Sequence, residues 1–466
     1  HVRPAGAVLF TKGGRASGPE PLLRLLSTIR GIILSRQGLS LRSIDAHDIA
    51  CAVGDAAVSG GMRRTAMISL YSQGDALMRA AKTGDYPSIR WNANNSEVWR
   101  RDPTDAEIEA QMAAMFAGQN GEPGIFSGAA AARTMPARRR ELWQTDLGVS
   151  IEENIGTNPC GEITLRNQGL CNLSIAVARS DDTFDTLCRK VVAATIFGTI
   201  QATATHFPGL RPDWKRNAES ERLLGVDITG QMDCPLLTGP SAAEIFDQLR
   251  QISLDVNADT AAQLGINPAA SITTVKPAGN SAALLNCSSG VHGRHAFFYV
   301  RNARVSAHSP VYYVLRDAGA PLSPENGQTA ENATTWVCAF PVASPSGAVV
   351  KGDLSADDQL AHWLLNKRHW TEHNPSCTIT YRPEERAEIV EWVKAHREEI
   401  GGLSFLPAFD AAYEQMPYVE IDEAEYQRRA AAFPAIDWSR IALYEATDTT
   451  TSSQEVVCTG DRCELK

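Results

Sequence analysis

The sequence predicts an α/β fold. Short apolar runs alternate with amphipathic helical patterns across most of the chain, and Gly, Pro and capping residues separate them. The 466 residues suffice for one large core or two to three ordinary domains, and a composition 43% hydrophobic and 21% charged is that of a globular chain.

The elements read in order as follows. Pro19 to Leu34 has helical spacing, with Leu22, Leu25, Leu26, Ile29, Ile32 and Ile33 on one stripe and Gly38 as a stop. Ser43 to Val58 reads as a second helix ended by Gly60-Gly61, and Thr65 to Leu70 alternates like a strand. Thr104 with Glu107, and Ser241 with Glu244, have capping-box spacing. The first opens a helix to about Phe116; the second opens one whose apolar face carries Phe246, Leu249, Ile252 and Val256. Ser376 to Tyr381 reads as a strand, and Pro383 to Ile400 as a helix closed by Gly401-Gly402. Residues 1–446 are expected to form the folded body. Thr447 to Lys466 is Thr-, Ser- and acid-rich, has little to bury, and is expected to be a mobile tail.

The formal net charge of −10 argues against wrapping nucleic acid, which needs a basic face. The basic clusters Arg63-Arg64 and Arg138-Arg139-Arg140 read as solvated surface. No apolar stretch is long enough to span a bilayer, and the N-terminus has no signal-peptide pattern. The 10 cysteines are scattered, which fits a reducing cytoplasm better than a disulfide framework. No metal-ligand set is read from them. The chain opens on His1-Val2-Arg3-Pro4 without an initiator Met, so upstream sequence is expected.

Four segments could carry chemistry. In Thr157-Asn158-Pro159-Cys160-Gly161-Glu162-Ile163 the thiol sits between two conformationally special residues, so a tight loop would hold Cys160 at its tip. Asn158 and Glu162, two residues to either side, would share its face in an extended loop. Eleven residues on, Cys171 would return near Cys160 on a strand; a buried core cysteine is the bland alternative. Lys276-Pro277-Ala278-Gly279-Asn280-Ser281 reads as a strand-to-helix turn whose free N–H groups could receive phosphate, although such turns are common. Cys458 and Cys463 lie in the polar tail; one pair cannot complete a zinc site, and a swinging dithiol is the better reading.

Together these segments resemble the catalytic chain of ribonucleotide reductases, and most closely the monomeric adenosylcobalamin-dependent ribonucleoside triphosphate reductases. The resemblance also takes in Gly13 to Pro19, Gly60-Gly61-Met62-Arg63-Arg64, Asn94-Asn95-Ser96, Gly121 to Ile125, Asn286 to His292 and Ser376 to Thr380. It implies a ten-stranded α/β barrel of two parallel five-stranded halves, threaded by a finger loop at about 156–164. It implies that Cys160 becomes a thiyl radical once the cobalt–carbon bond of adenosylcobalamin breaks, and takes the 3′ hydrogen of a ribonucleotide. Glu162 would be the general base on the 3′ hydroxyl, Asn158 would hold the sugar hydroxyls, and Cys171 would belong to the reducing dithiol. Cys458 and Cys463 would reduce the resulting disulfide and be reduced by a thioredoxin-like protein. The turn Lys276 to Ser281 would bind substrate phosphates. Gly60, Gly61, Met62, Arg63 and Arg64 would relay the identity of a deoxynucleotide effector.

One departure stands out. The family's other active-site redox cysteine lies on the first barrel strand, and this chain starts downstream of it; Cys51, in an apparent helix, is no substitute. The first strands are therefore expected from a missing segment or a separate polypeptide. The expectation is a cytoplasmic monomer with no nucleic-acid or membrane partner. Alternatives are a reductase whose radical comes from a separate metal-containing subunit, a truncated non-catalytic nucleotide-binding barrel, and an unrelated α/β protein.

Overall fold

A computed structural model describes residues 2–4, 7, 16–59, 62–63, 65–147, 150–307, 309–333, 335–408, 415–444, 456–459 and 462–465. Residues 58–59, 62–63, 146–147, 280, 456–459 and 462–465 are described by their backbone alone.

Eight strands form one row. The strands β1 (Met67–Ser72), β2 (Ala93–Trp99) and β3 (Gly124–Ser127) pair in parallel. β4 (Asn172–Val177), β5 (Leu224–Thr229) and β6 (Thr273–Thr274) form a second parallel group, and β7 (Thr378–Tyr381) with β8 (Gly402–Pro407) a third. A single parallel bridge from Val275 to Pro375 joins β6 to β7, and β8 runs antiparallel to β3. The order is therefore β1-β2-β3-β8-β7-β6-β5-β4. One parallel run has five strands and the other has three. The ten-stranded barrel expected from the resemblance is thus not found among the described residues; the fold is α/β with mixed sheets.

The strands are positioned by their helices. Leu224, Val226 and Ile228 alternate on one face of β5 and pack with Leu187, Val191, Phe246 and Leu249 from the helices Phe184–Gln201 and Ala242–Leu264. Both faces of β5 are buried, as expected of a central parallel strand. The helix Ala356–His369 adds Leu360 and Trp363, and Trp99 and Trp370 complete the same core. A separate four-stranded antiparallel sheet orders Leu322–Pro324, Thr335–Ala343, Phe298–Ser306 and Tyr418–Glu420.

Several local expectations change. The first helix spans Glu20–Ser35, but none of its residues is buried, so its apolar stripe stays partly open in this chain. The second helix ends at Ala56, because Val58–Ser59 turns back to pair with Met62–Arg63; Gly60, Gly61 and Arg64 lie outside the described residues. Thr104 and Glu107 form their capping box, but Ser241 caps without a side-chain hydrogen bond. Pro383 to Ile400 splits into a 3-10 turn, Pro383–Glu385, and a helix, Arg386–His396. Arg139 is not surface: it is fully buried and ion-paired with Glu221 at 2.8 Å. Within the expected tail, Val456–Thr459 pairs antiparallel with Arg462–Leu465, and Cys458 and Cys463 are register partners.

Candidate active site

The segment after the helix Ile151–Asn154 forms a short hairpin, in which Gly156–Thr157 pairs with Thr164–Leu165. Its tip is a tight turn rather than an extended loop. The Gly161 N–H donates to Asn158 O at 3.0 Å, and Gly161 has φ of 84°, a left-handed conformation that favours glycine. Asn158 closes the turn: its Oδ1 accepts from the Ile163 N–H at 3.0 Å. Because the chain turns here, the alternation of an extended loop does not apply. Cys160 alone faces open space, while Glu162 is buried beneath the tip.

The tip is held by its carbonyls. Pro159 O accepts from Asn94 Nδ2 at 2.7 Å, and Cys160 O from Ser376 Oγ at 2.5 Å. Gly161 O accepts from Asn374 Nδ2 at 3.2 Å; Glu162 O accepts from Thr274 Oγ1 at 2.7 Å and the Asn374 N–H at 3.2 Å. Four consecutive carbonyls that could pair with no sheet are thereby satisfied. At the stem, Arg139 donates to Thr164 Oγ1 at 2.7 Å and Thr164 O at 2.8 Å, and Trp143 Nε1 donates to Glu221 at 2.6 Å.

Cys160 lines a cavity of about 320 Å³ bounded by Asn94, Asn95, Asn120, Glu122 and Asn374 with Ser96, Ser376 and Thr378. Asn95 Oδ1, Asn374 Oδ1 and Glu122 Oε2 are buried there without a hydrogen-bond partner in the protein. Glu122 is paired with Lys82 at 2.8 Å, yet burial still pushes its carboxyl up. A small cavity walled by amides and hydroxyls, with one thiol, suits a polyhydroxylated ligand.

The groups behind the tip are electrostatically linked. Burial pushes the Cys160 thiol up, the nearby Glu162 carboxylate adds to this, and Lys276 opposes it. Burial also raises Glu162, against a hydrogen bond from the Asn158 side chain and the charge of Lys276. Burial and then Glu162 push the Cys171 thiol up. Its Sγ lies against Gly225, where an added Cβ would come within 3.2 Å of it and 2.9 Å of Ile163 Cδ1. The structure thus gathers Cys160, Glu162, Asn158, Cys171 and Lys276. Pro277 is on the cavity wall, and Ala278 and Gly279 lead into a helix, Gly279–Leu285, that includes Asn280 and Ser281.

Sequence reasoning missed Asn374 and Asp227 altogether, placed Thr274 only on the strand before the Lys276 turn, and read no role for Asn94 or Ser376. Asp227 had a legible signal, a lone acid inside the apolar run Leu223 to Ile228. Asn374 had none beyond the Asn-Pro pair before Ser376.

On the far side of Pro277 a second cavity, of about 790 Å³, lies between the helix Gly279–Leu285 and the antiparallel sheet. His295 stacks on Tyr418, Arg301 sits 4.2 Å over the same ring, and Tyr299, Tyr426 and Lys351 complete the wall. Aromatic faces with cations suit a large, partly planar anionic group.

No family model matches the chain. Among curated relatives, the adenosylcobalamin-dependent ribonucleoside-triphosphate reductase of Lacticaseibacillus paracasei is 28% identical, over all of this chain and 65% of the relative. The proteins of the same name from Lactobacillus acidophilus and Lactobacillus leichmannii are 28% and 26% identical, covering 92% and 100% of this chain and 60% and 65% of theirs. The chain therefore spans less than two thirds of the length of these relatives. Among solved structures, a B-12 dependent (class II) ribonucleotide reductase superposes with a TM-score of 0.78 at 23% identity, over 96% of this chain and 64% of that one. The alpha subunit of the Actinobacillus ureae class Id ribonucleotide reductase gives 0.53 at 12% identity, over 83% and 82%. At these identities the likeness to solved structures establishes the fold.

Proposed function

We propose that this chain, homologous along its length to adenosylcobalamin-dependent ribonucleoside-triphosphate reductases, reduces ribonucleotides to 2′-deoxyribonucleotides by thiyl-radical chemistry at Cys160. The observation that carries this is a thiol at the tip of a hairpin, clamped through four consecutive carbonyls and presented to a polar cleft. A radical must be held rigidly and away from water; the clamp supplies the rigidity, and bound substrate and cofactor would have to cover the exposed thiol.

The cofactor would be adenosylcobalamin. The aromatic and cationic wall of His295, Tyr299, Arg301, Tyr418 and Lys351 fits a corrin carrying an anionic nucleotide tail. When bound, adenosylcobalamin supplies the one-electron oxidation of a thiol through homolysis of its cobalt–carbon bond. Everything else falls to the chain. Cys160 takes the 3′ hydrogen. Glu162 accepts the 3′ hydroxyl proton, and its burial gives it the affinity to do so. Asn158, whose Oδ1 is engaged by Ile163, acts chiefly by orienting Glu162. Cys171 supplies one sulfur of the reducing dithiol; loss of the 2′ hydroxyl as water and closure of the disulfide require a second thiol besides Cys160. The turn Lys276 to Ser281 receives substrate phosphates beside the thiol.

Cys458 and Cys463, opposite one another across a hairpin, would carry electrons in from a thioredoxin-like protein. The loop from Gly60 to Arg64 would sense a deoxynucleotide effector, and the protein would act as a cytoplasmic monomer. A radical delivered from a separate metal-containing subunit is not favoured, because the relatives with whole-chain similarity are named for cobalamin dependence. The test is Cys160→Ala in a preparation that makes deoxynucleotides with adenosylcobalamin and a dithiol. Reduction, and exchange of the cofactor's 5′ hydrogen with solvent, should both vanish. Retained exchange would refute the assignment, and binding of nucleotide without any turnover in the parent would favour a non-catalytic barrel.

A further inference from the structure

Asp227 sits in the middle of β5, whose Leu224, Val226 and Ile228 face the helices. Gly225, Asp227 and Thr229 therefore face the other way, into the interior that holds the finger loop. Gly225 borders Ile163 and Cys171, and the Thr229 Oγ1 accepts from the Gly290 N–H at 2.9 Å. The Asp227 side chain is 0% exposed. Its Oδ1 accepts from the Lys276 N–H at 2.9 Å, and its Oδ2 is buried without a hydrogen-bond partner in the protein. Glu162 has the same signature: it is buried, and its Oε2 is without a partner. The charges that act on Asp227 are Lys276, from the turn after β6, and Glu162, from the finger loop. Around Glu162 stand Asn158, Lys276 and the thiols of Cys160 and Cys171.

Thr274, the register partner of Asp227 on β6, donates to Glu162 O at 2.7 Å, so the two residues are brought to one place and the Glu162 charge acts on Asp227; two buried carboxyls so placed cannot both ionise cheaply. One nearby lysine compensates one negative charge. The Asn158 side chain favours the ionised Glu162, whereas the hydrogen bond Asp227 receives among the described residues is from a backbone N–H. The negative charge therefore settles on Glu162 and the proton on Asp227.

We propose that Asp227 is a positioning residue of this site: it shares a single negative charge with Glu162 beneath the finger loop, holding the proton while Glu162 is the ionised base. The inference rests on the reading of Glu162 as the base. It also ties the proposed phosphate-receiving turn to the base, since the Lys276 backbone hangs on the Asp227 carboxyl. When Asp227 loses its proton, a second negative charge appears between that turn and Glu162. Phosphate is then repelled and the base is held harder to its own proton.

The experiment is an infrared titration of the full chain with isotopically labelled aspartate side chains. The wild-type chain should keep one protonated aspartate carboxyl through neutral pH and lose it at about pH 8, the value to which burial pushes Asp227. Asp227→Asn should remove that band. Glu162→Gln should move its midpoint down by about one pH unit, because the like charge has gone; this variant carries the test alone if Asp227→Asn fails to fold. Absence of the band at neutral pH, or a midpoint indifferent to Glu162→Gln, would overturn the proposal. In a preparation that reduces ribonucleotides, Asp227→Asn should keep the acid limb of kcat/KM and lose the alkaline limb; an unchanged alkaline limb also overturns it. The infrared arm needs no turnover, so a chain that titrates as expected but fails the Cys160→Ala test sinks the reductase reading and leaves the carboxyl pair standing.

Discussion

Asn374 is the residue whose replacement tests the clamp most directly. It is 2% exposed, and its Nδ2 donates to Gly161 O at 3.2 Å and Gly402 O at 3.1 Å, so it ties the finger tip to β8. Asn374→Ala deletes both bonds and leaves the Gly161 carbonyl short of a donor inside the protein. A made hydrogen bond contributes about 1 kcal/mol, and an orphaned buried acceptor costs about 1–3 kcal/mol. The expected loss is about 2–3 kcal/mol, with the backbone bond from Asn374 to Glu162 O retained. Asn374→Asp keeps the shape but turns a donor into an acceptor facing two carbonyls. Its carboxyl would be harder to ionise in the folded chain than in the unfolded one. A group whose folded pKa is raised stabilises below its unfolded pKa and loses that contribution as pH rises through the folded value. Asn374→Asp should therefore approach the wild type at about pH 4 and fall below Asn374→Ala at about pH 7. Urea denaturation of the three chains at both pH values measures this. A loss under about 0.5 kcal/mol for Asn374→Ala, or an Asp variant more stable at the higher pH, would refute the clamp.

Three further outcomes follow from the same site. Arg139→Met removes one of two arginines paired with the buried Glu221, Arg166 remaining at 3.4 Å, and two donors to Thr164, and should destabilise the chain by about 2–4 kcal/mol in urea denaturation. Glu162→Gln should lower the pH at which Cys160 is alkylated, because the Glu162 charge helps hold that thiol up; an unmoved alkylation profile would separate the two groups. In an active preparation, a double Cys458→Ser and Cys463→Ser variant should fail with thioredoxin yet keep activity with a small dithiol that can enter the cavity, and equal loss with both would count against a shuttle.

What could be read beforehand was local. Cys160, Glu162 and Cys171 are close in sequence, and Pro159 and Gly161 announce the turn that carries them. The capping box at Thr104 formed because both partners lie within one turn. The clamp was illegible for the opposite reason. Asn94, Thr274 and Asn374 are ordinary polar residues in sequence and gain meaning only when the sheet order brings them to one loop. Arg139 misled because a run of three arginines looks like surface, and only the packing of Glu221 against it shows otherwise. The Asn158 side chain was expected beside the thiol because an extended loop was assumed; the turn at the left-handed Gly161 instead engages its Oδ1 with the Ile163 N–H. The stripe on Glu20–Ser35 shows the converse, a strong helical period that its neighbour helix covers only in part, leaving Leu22, Leu26 and Ile33 exposed.

The clamp draws on both parallel runs. Asn94 reaches the tip from β2, on the three-strand side, while Thr274, Asn374 and Ser376 reach it from the five-strand side. A loop tethered to two bodies cannot follow either one alone. If the runs shift against each other at the β3–β8 seam, the thiol is tugged between anchors and one of them must let go. Among the described residues Asn94 is the one side chain of the three-strand side that bonds a tip carbonyl, so any shift of one run against the other would load that bond and displace the sulfur atom with it.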